Sequence, residues 1–334
     1  MSSTEPVDEL SATQFEEHEA LEAEHSISGR PFELSAARGG LLGRFHNDKL
    51  AFVAVAWLVV ITLVALLAPW IAPYGQSEGT LGSADLQPVW SGGSWDHVMG
   101  TTPQGYDILS RLIHGARTSL VIGVSVVVLA GLFGVLIGLI AGYKGGRTDR
   151  LLMGWVDVQV SFPGLLMALL LLMVLRGSVK TVIIVLAING WMVYARMTRG
   201  VVLSMRERPF VEAAEIIGAR PRRVIMTHVL PNLVSPLATL GTLEFARIVL
   251  AEAALSFLGL GIQFPQTSWG TDAAQGGAYI NRNPWPAIYP GVALTLTVLA
   301  VNIVAAWLRV VFDPQEREKR HAATVLGGAG GKQL

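Results

Sequence analysis

The sequence predicts an all-α, polytopic membrane protein with six transmembrane helices, and three observations carry that reading. The chain of 334 residues is 51% hydrophobic and only 15% charged, with a mean hydropathy of +0.49, too much apolar surface for a soluble domain of its size. No charge occurs between Lys49 and Glu78, Arg117 and Lys144, Asp157 and Arg176, or Arg282 and Arg309. Each of those gaps holds a run of about eighteen apolar residues or more, enough to cross a bilayer as a helix. Basic residues are distributed asymmetrically among the intervening segments, as the loops of a membrane protein require.

Two weaker spans complete the six. The stretch from Thr181 to Ala195 makes a helix of about 22 Å against a hydrocarbon core of about 30 Å, so it borrows the turn containing Arg196 and Arg199. Those arginines are expected to snorkel to the interface. The stretch from about Leu233 to Leu258 is long enough but contains Glu244, Arg247 and Glu252. With the N-terminus inside, the inner segments hold nineteen Lys and Arg and the outer segments five. That bias predicts a membrane protein with both termini cytoplasmic.

The remaining segments follow from composition. Residues 1–45 read as a disordered acidic tail: nine acids and one base, Arg30, fall in the first 35 positions, with too little apolar surface to offset ordering entropy. A cleavable signal is not expected, because the first apolar run, within 46–72, begins late and is far longer than a signal core. Residues 73–117 form an outer loop rich in Gly and Ser, whose end, Ile108 to Leu120, has the spacing of an interfacial helix. Residues 118–312 form a five-helix core with an inner loop at 199–232, and 313–334 a cytoplasmic tail. Net charge is zero and no basic block accompanies aromatic residues, which excludes a nucleic-acid binder. The chain has no Cys and its seven His fall in no paired ligand spacing, so neither a thiolate site nor a histidine metal site is expected.

The inner loop has its own structure. Pro209 suits the first turn of a helix, Phe210, Val211, Ala214 and Ile217 form an apolar stripe, and Gly218 suits a left-handed cap. Pro221 starts a second helix, which should end before Pro231. The result is a two-helix elbow over 209–231.

Here the sequence resembles a known family. Glu212, Ala213, Ala214, Gly218, Leu230 and Pro231 match the EAA signature of permeases in binding-protein-dependent ABC importers, and His228, where the general signature has an aliphatic residue, is similar to the dipeptide and oligopeptide branch. GTTPQGYDILSRLIHGARTSL at 100–120, DVQVSFP at 157–163, EAALSFLGLGIQFPQTSWG at 252–270 and DP at 313–314 are similar to that branch as well, with Tyr106 standing where it usually has Arg. The resemblance covers roughly residues 45–320. It implies the type I importer permease fold and a division of labour: an extracytoplasmic solute-binding protein, two homologous permeases embedded in lipid, and two ATPase subunits. It places ATPase coupling on Phe210, Glu212, Ala213, Ala214, Gly218, Ala219, His228, Leu230 and Pro231. ATP and Mg would bind the partners, not this chain. The terminal GGAGGKQL is not a phosphate-binding loop, since Leu326 stands where the first Gly is needed and Gln333 where Ser or Thr is needed.

Four intramembrane polar residues are candidates for the translocation path or a subunit interface. Glu244 and Arg247 share a helical face at a depth where a lone charge costs about 3 kcal/mol, so they are expected to pair with each other or with the second permease. Glu252 lies near the outer end of its span, and Asn302 suits helix-helix hydrogen bonding. Asp157 is expected to cap the third span or to meet Arg150. The competing reading is a stand-alone secondary transporter or channel, but the chain shows no convincing internal repeat. A membrane-embedded enzyme would need a nucleophile with its base, or a metal-ligand cluster, and the sequence offers neither.

Overall fold

The structure is a computed structural model and describes residues 48–209, 211, 216–218 and 220–312. The acidic N-terminal tail and the C-terminal tail lie outside the described residues. The described chain is helical: α1 (Lys49–Ile71), α2 (Ile108–Lys144), α3 (Gly146–Val160), α4 (Gly164–Leu175), α5 (Val179–Arg206), α6 (Pro221–Val224), α7 (Leu230–Phe257), α8 (Trp269–Gly277) and α9 (Trp285–Phe312). Five helical segments are long and apolar enough to cross a membrane, and a sixth crossing exists if the bent pair α3 and α4 forms one span. The large apolar side chains left exposed on α1, among them Leu50, Val53, Val59 and Leu63, are placed for contact with lipid.

The geometry of α2 against α5 shows that the bent pair does cross. Along α2, a Cβ at Gly134 would meet the Trp191 carbonyl oxygen at 2.2 Å, one at Gly138 the Ala195 carbonyl at 2.5 Å, and one at Gly142 the Val202 side chain at 2.8 Å. Contacts advance in the same direction along both helices, so α2 and α5 are parallel. The end of α2 and the start of α5 therefore lie at opposite ends of the bundle, and the intervening chain must return across it. Glycines four apart make this approach possible, letting one backbone lie against the other where a larger residue would hold them apart.

That return is not the straight helix expected from Asp157 to Arg176. The two halves are bent by 80° at the break between Val160 and Gly164. Pro163 explains it: proline lacks an N–H, its ring collides with the preceding turn, and Phe162 before it is disfavoured in the helical conformation. Asp157 consequently lies inside the last turn of α3 and caps nothing. Its carboxylate takes a hydrogen bond from Arg196 Nη2 at 2.6 Å, not from Arg150.

Arg196 and Arg199 bond to α3, Arg196 to Asp157 and Arg199 to Asp149 through a two-point contact, Nη2 to Oδ2 at 2.7 Å. The helix at Ile108 leads into the second span without a break, α2 running through 37 residues to Lys144. Its start is fixed by Asp107, whose carboxylate accepts from the Ser110 backbone N–H at 2.8 Å. The helix begun at Pro221 does not end before Pro231. It widens into a π turn over Ile225–Val229, with the Leu230 N–H bonded to the Ile225 carbonyl, and continues as α7. The wider turn carries the Pro231 ring past the carbonyl it would strike in a regular α-helix.

The seam makes a measurable prediction. Gly138→Ala should lower the thermal stability of the purified protein by the equivalent of about 1–3 kcal/mol, because its methyl group would meet backbone. Gly154→Ala, on α3 with nothing within 4 Å, should be neutral or slightly stabilising. Equal tolerance at the two positions would contradict the close seam.

Candidate functional site

The described polar residues at membrane depth fall into groups with different partners. Glu244 and Arg247 occupy one face of α7, with Arg247 Nε donating to Glu244 Oε2 at 2.8 Å. This is the intrahelical pairing that their i, i+3 spacing suggests. Glu244 is 9% exposed in its side chain, whereas Arg247 is 54% exposed and lines a cavity of about 190 Å³ between α4, α5 and α7. The same cavity is lined by Gly164 and Leu165 at the first turn of α4 and by Asn189 of α5.

Glu252, five residues beyond Arg247 along α7, does not join them. It is almost fully buried, with Oε1 accepting from Ser256 and from Ser268, both at 2.7 Å. Ser268 belongs to the segment that follows α7, so Glu252 fastens that segment to the helix. Asn302 does not bridge helices. Its Nδ2 donates to the Val298 carbonyl of its own helix at 2.9 Å, a local bond that satisfies the donor without a neighbour, and the residue is exposed.

At the end of the bundle formed by 72–107 and 258–284 lies a group the sequence did not single out. Arg111 is buried in the first turn of α2. Its Nε donates to Asp272 Oδ1 at 2.8 Å, Nη2 to the Thr267 hydroxyl at 2.9 Å and Nη1 to the Gln76 carbonyl at 3.2 Å. One guanidinium thus ties together the loop after α1, the start of α2, the turn before α8, and α8 itself. Burial drives the Asp272 carboxyl above the ordinary carboxylate range, while the Arg111 guanidinium and the Thr267 hydroxyl oppose that shift. The Arg111 guanidinium also lies over the Tyr106 ring, 5.1 Å from its centroid, and that ring stacks on Phe264. An aromatic face beside a buried arginine is attractive where a second arginine would repel it, which gives Tyr106 its role. Arg111 and Asp272 are 161 residues apart, and no local spacing relates them.

The elbow is described in part. Phe210, Glu212, Ala213, Ala214 and Ala219 lie outside the described residues. Gly218 has φ of +82°, the left-handed conformation expected of a helix stop. Ile216 and Ile217 beside it are exposed. His228 falls in the π turn, Leu230 is half-buried and Pro231 exposed at the start of α7.

Comparison with known proteins places this architecture. Residues 134–318 match the model of the binding-protein-dependent transport system inner membrane component, and residues 41–88 match that of the N-terminal transmembrane domain of oligopeptide transport permease C. The chain belongs to the binding-protein-dependent transport permeases. The di/tripeptide transport system permease protein DppC of Pseudomonas aeruginosa is 39% identical over 81% of this chain and 90% of the relative. The oligopeptide transport system permease protein OppC of Bacillus subtilis is 38% identical over 82% of this permease and 88% of the relative. That of Haemophilus influenzae is 32% identical over 94% and 98%. The protein is thus an integral membrane permease subunit of an ABC importer, not itself an enzyme, and nothing in these relatives favours a stand-alone secondary transporter or channel.

Removing either partner of the Arg111–Asp272 pair should strand a buried charge and cost about 3–5 kcal/mol of stability, read as folded yield and thermal unfolding in detergent. The double variant Arg111→Met/Asp272→Leu should lose less than the sum of the two single variants. Strictly additive losses would show that the two side chains act independently.

Proposed function

We propose that the permease carries peptides across the bacterial plasma membrane as one half of a path completed by a second, homologous permease. Two ATPase subunits drive it, and ATP and Mg bind to them, not to this chain. An extracytoplasmic solute-binding protein delivers the peptide. The observation that supports this reading most directly is the match over four-fifths of the chain to relatives named for dipeptide and oligopeptide transport. The excess of Lys and Arg on one side of the spans supports cytoplasmic termini, a cytoplasmic elbow at 209–231, and outer faces at 73–117 and 259–286.

Coupling to the ATPases is assigned to that elbow. Its EAA residues, Glu212, Ala213 and Ala214, precede a glycine whose left-handed backbone ends the helix, and two exposed isoleucines at 216 and 217 offer apolar surface for a partner. The test is reconstitution with the partner subunits in proteoliposomes. Parent complex should show ATP-driven peptide uptake. Glu212→Lys should assemble normally and lose uptake by about tenfold or more, because it reverses a charge at a docking surface. Normal uptake by that variant would remove the elbow from the coupling path. Orientation is checked by Ser204→Cys, exposed near the end of α5 in a chain without native cysteines. An impermeant thiol reagent should label it in everted vesicles and not in intact cells.

A further inference from the structure

The cavity at the break of the third crossing has an unusual set of polar groups for a site at membrane depth. Arg247 uses Nε and Nη2 on Glu244, and Nη1 has no acceptor among the described residues. A guanidinium that is half exposed in a transmembrane helix is costly against lipid, so its open side faces water, a partner or a ligand. Across the cavity, α4 begins at Gly164 with Pro163 as its cap and no side chain bonded to its first amides. A broken helix therefore points unsatisfied N–H groups and the positive end of its dipole at the same space. Asn189 stands in the wall beside them. Its Nδ2 donates to the Val185 carbonyl at 2.9 Å, which leaves Oδ1, buried and without a donor, 3.5 Å from where a Cβ on Gly164 would stand.

These groups ask for a ligand with an anionic oxygen pair. We propose that the cavity holds the C-terminal carboxylate of the translocated peptide, on Arg247 Nη1 and the α4 amides. The inference rests on the peptide-importer reading and adds a substrate contact to it. A volume of about 190 Å³ admits a carboxylate, its α-carbon and a small side chain. A bare metal cation would be repelled by Arg247 and by the helix terminus. Glu244 holds the guanidinium in place and neutralises it when the cavity is empty, which lowers the cost of keeping the cation at this depth. The peptide carboxylate would then meet one preoriented edge of a fork whose other edge is already occupied.

The experiment compares trialanine with trialanine amide in proteoliposomes holding the complete importer, each peptide added at a concentration that saturates the binding protein as measured beforehand. The parent should take up the acid about tenfold faster than the amide, the amount expected from one charge-assisted hydrogen bond. Glu244→Gln/Arg247→Gln, neutral as a pair, should bring the two rates within about twofold. Absence of uptake of either peptide by the parent would fell the peptide reading itself. Equal uptake of both by the parent, or a tenfold preference that survives in the double variant, would fell the carboxylate site alone. Ala251→Leu fills the cavity without altering charge and should reduce acid uptake about fivefold in an assembled complex. If the double variant does not assemble, Ala251→Leu decides: unimpaired uptake overturns the site, because the cavity then takes no part of the substrate.

Discussion

The close approach of α2 and α5 is the constraint from which the rest of the core follows. Glycines at 134, 138 and 142 bring two parallel helices to backbone contact, and parallel neighbours in a membrane require a full return crossing between them. Only the residues between Lys144 and Val179 are available for that crossing, and they carry Pro163 in their middle. The return must therefore be made by two short helices at an angle. α4 alone, twelve residues long, spans about 18 Å and does not suffice, so α3 makes up the remaining depth. The salt bridges from Asp149 and Asp157 to Arg199 and Arg196 hold α3 against α5. The break exposes amides at the start of α4, and irregular backbone at that depth is tolerated where it is buried in protein or lines a cavity, which is the arrangement here.

The opposite strategy governs the other end of the bundle. There the chain is mostly loop and tight turns closed by backbone bonds such as Thr101 N–H to the Leu86 carbonyl and Asp85 N–H to the Thr102 carbonyl, and buried side chains tie these turns to one another and to the helices. Arg111 gathers three segments through charge-assisted bonds, and Glu252 fastens the segment after α7 through two serines. Asn283 adds a bond to the Thr101 carbonyl, and Trp269, fully buried, bonds the Leu112 carbonyl. Buried polar networks of this kind fix one arrangement of loops because any slip leaves a charge unpaired.

How much of this was legible follows from how local each cause is. Charge is expensive in hydrocarbon, so its absence over long runs marked the spans directly. Proline acts locally as well, yet its outcome depends on what surrounds it. At Pro163 the chain broke inside a stretch that composition reads as one span. At Pro231 it did not break, because a π turn absorbed the ring, and the neighbours decide which of the two happens. The glycines of α2 stood in the sequence at the spacing of close helix packing, but only the partner helix shows that they face it. Arg111 and Asp272 had no such mark: they sit in different motifs, and only the folded chain brings them together. The proposed elbow contacts were read from the EAA resemblance, and of those residues Gly218 has a local reason in its own backbone.

The arginines of the loop end and of the span interior differ in one respect that bears on function. A charge kept for structure should be buried and fully engaged, since every unspent donor there is a cost with no return. Arg111 meets that condition, with bonds from Nε, Nη1 and Nη2 and little exposure. Arg247 does not: it is half exposed, engaged on one edge, and set beside helix amides and a carboxamide oxygen that also lack partners. The open edge of Arg247 faces water, a partner or a ligand, and the proposed contact with the peptide terminus would give it a use that a structural ion pair does not require.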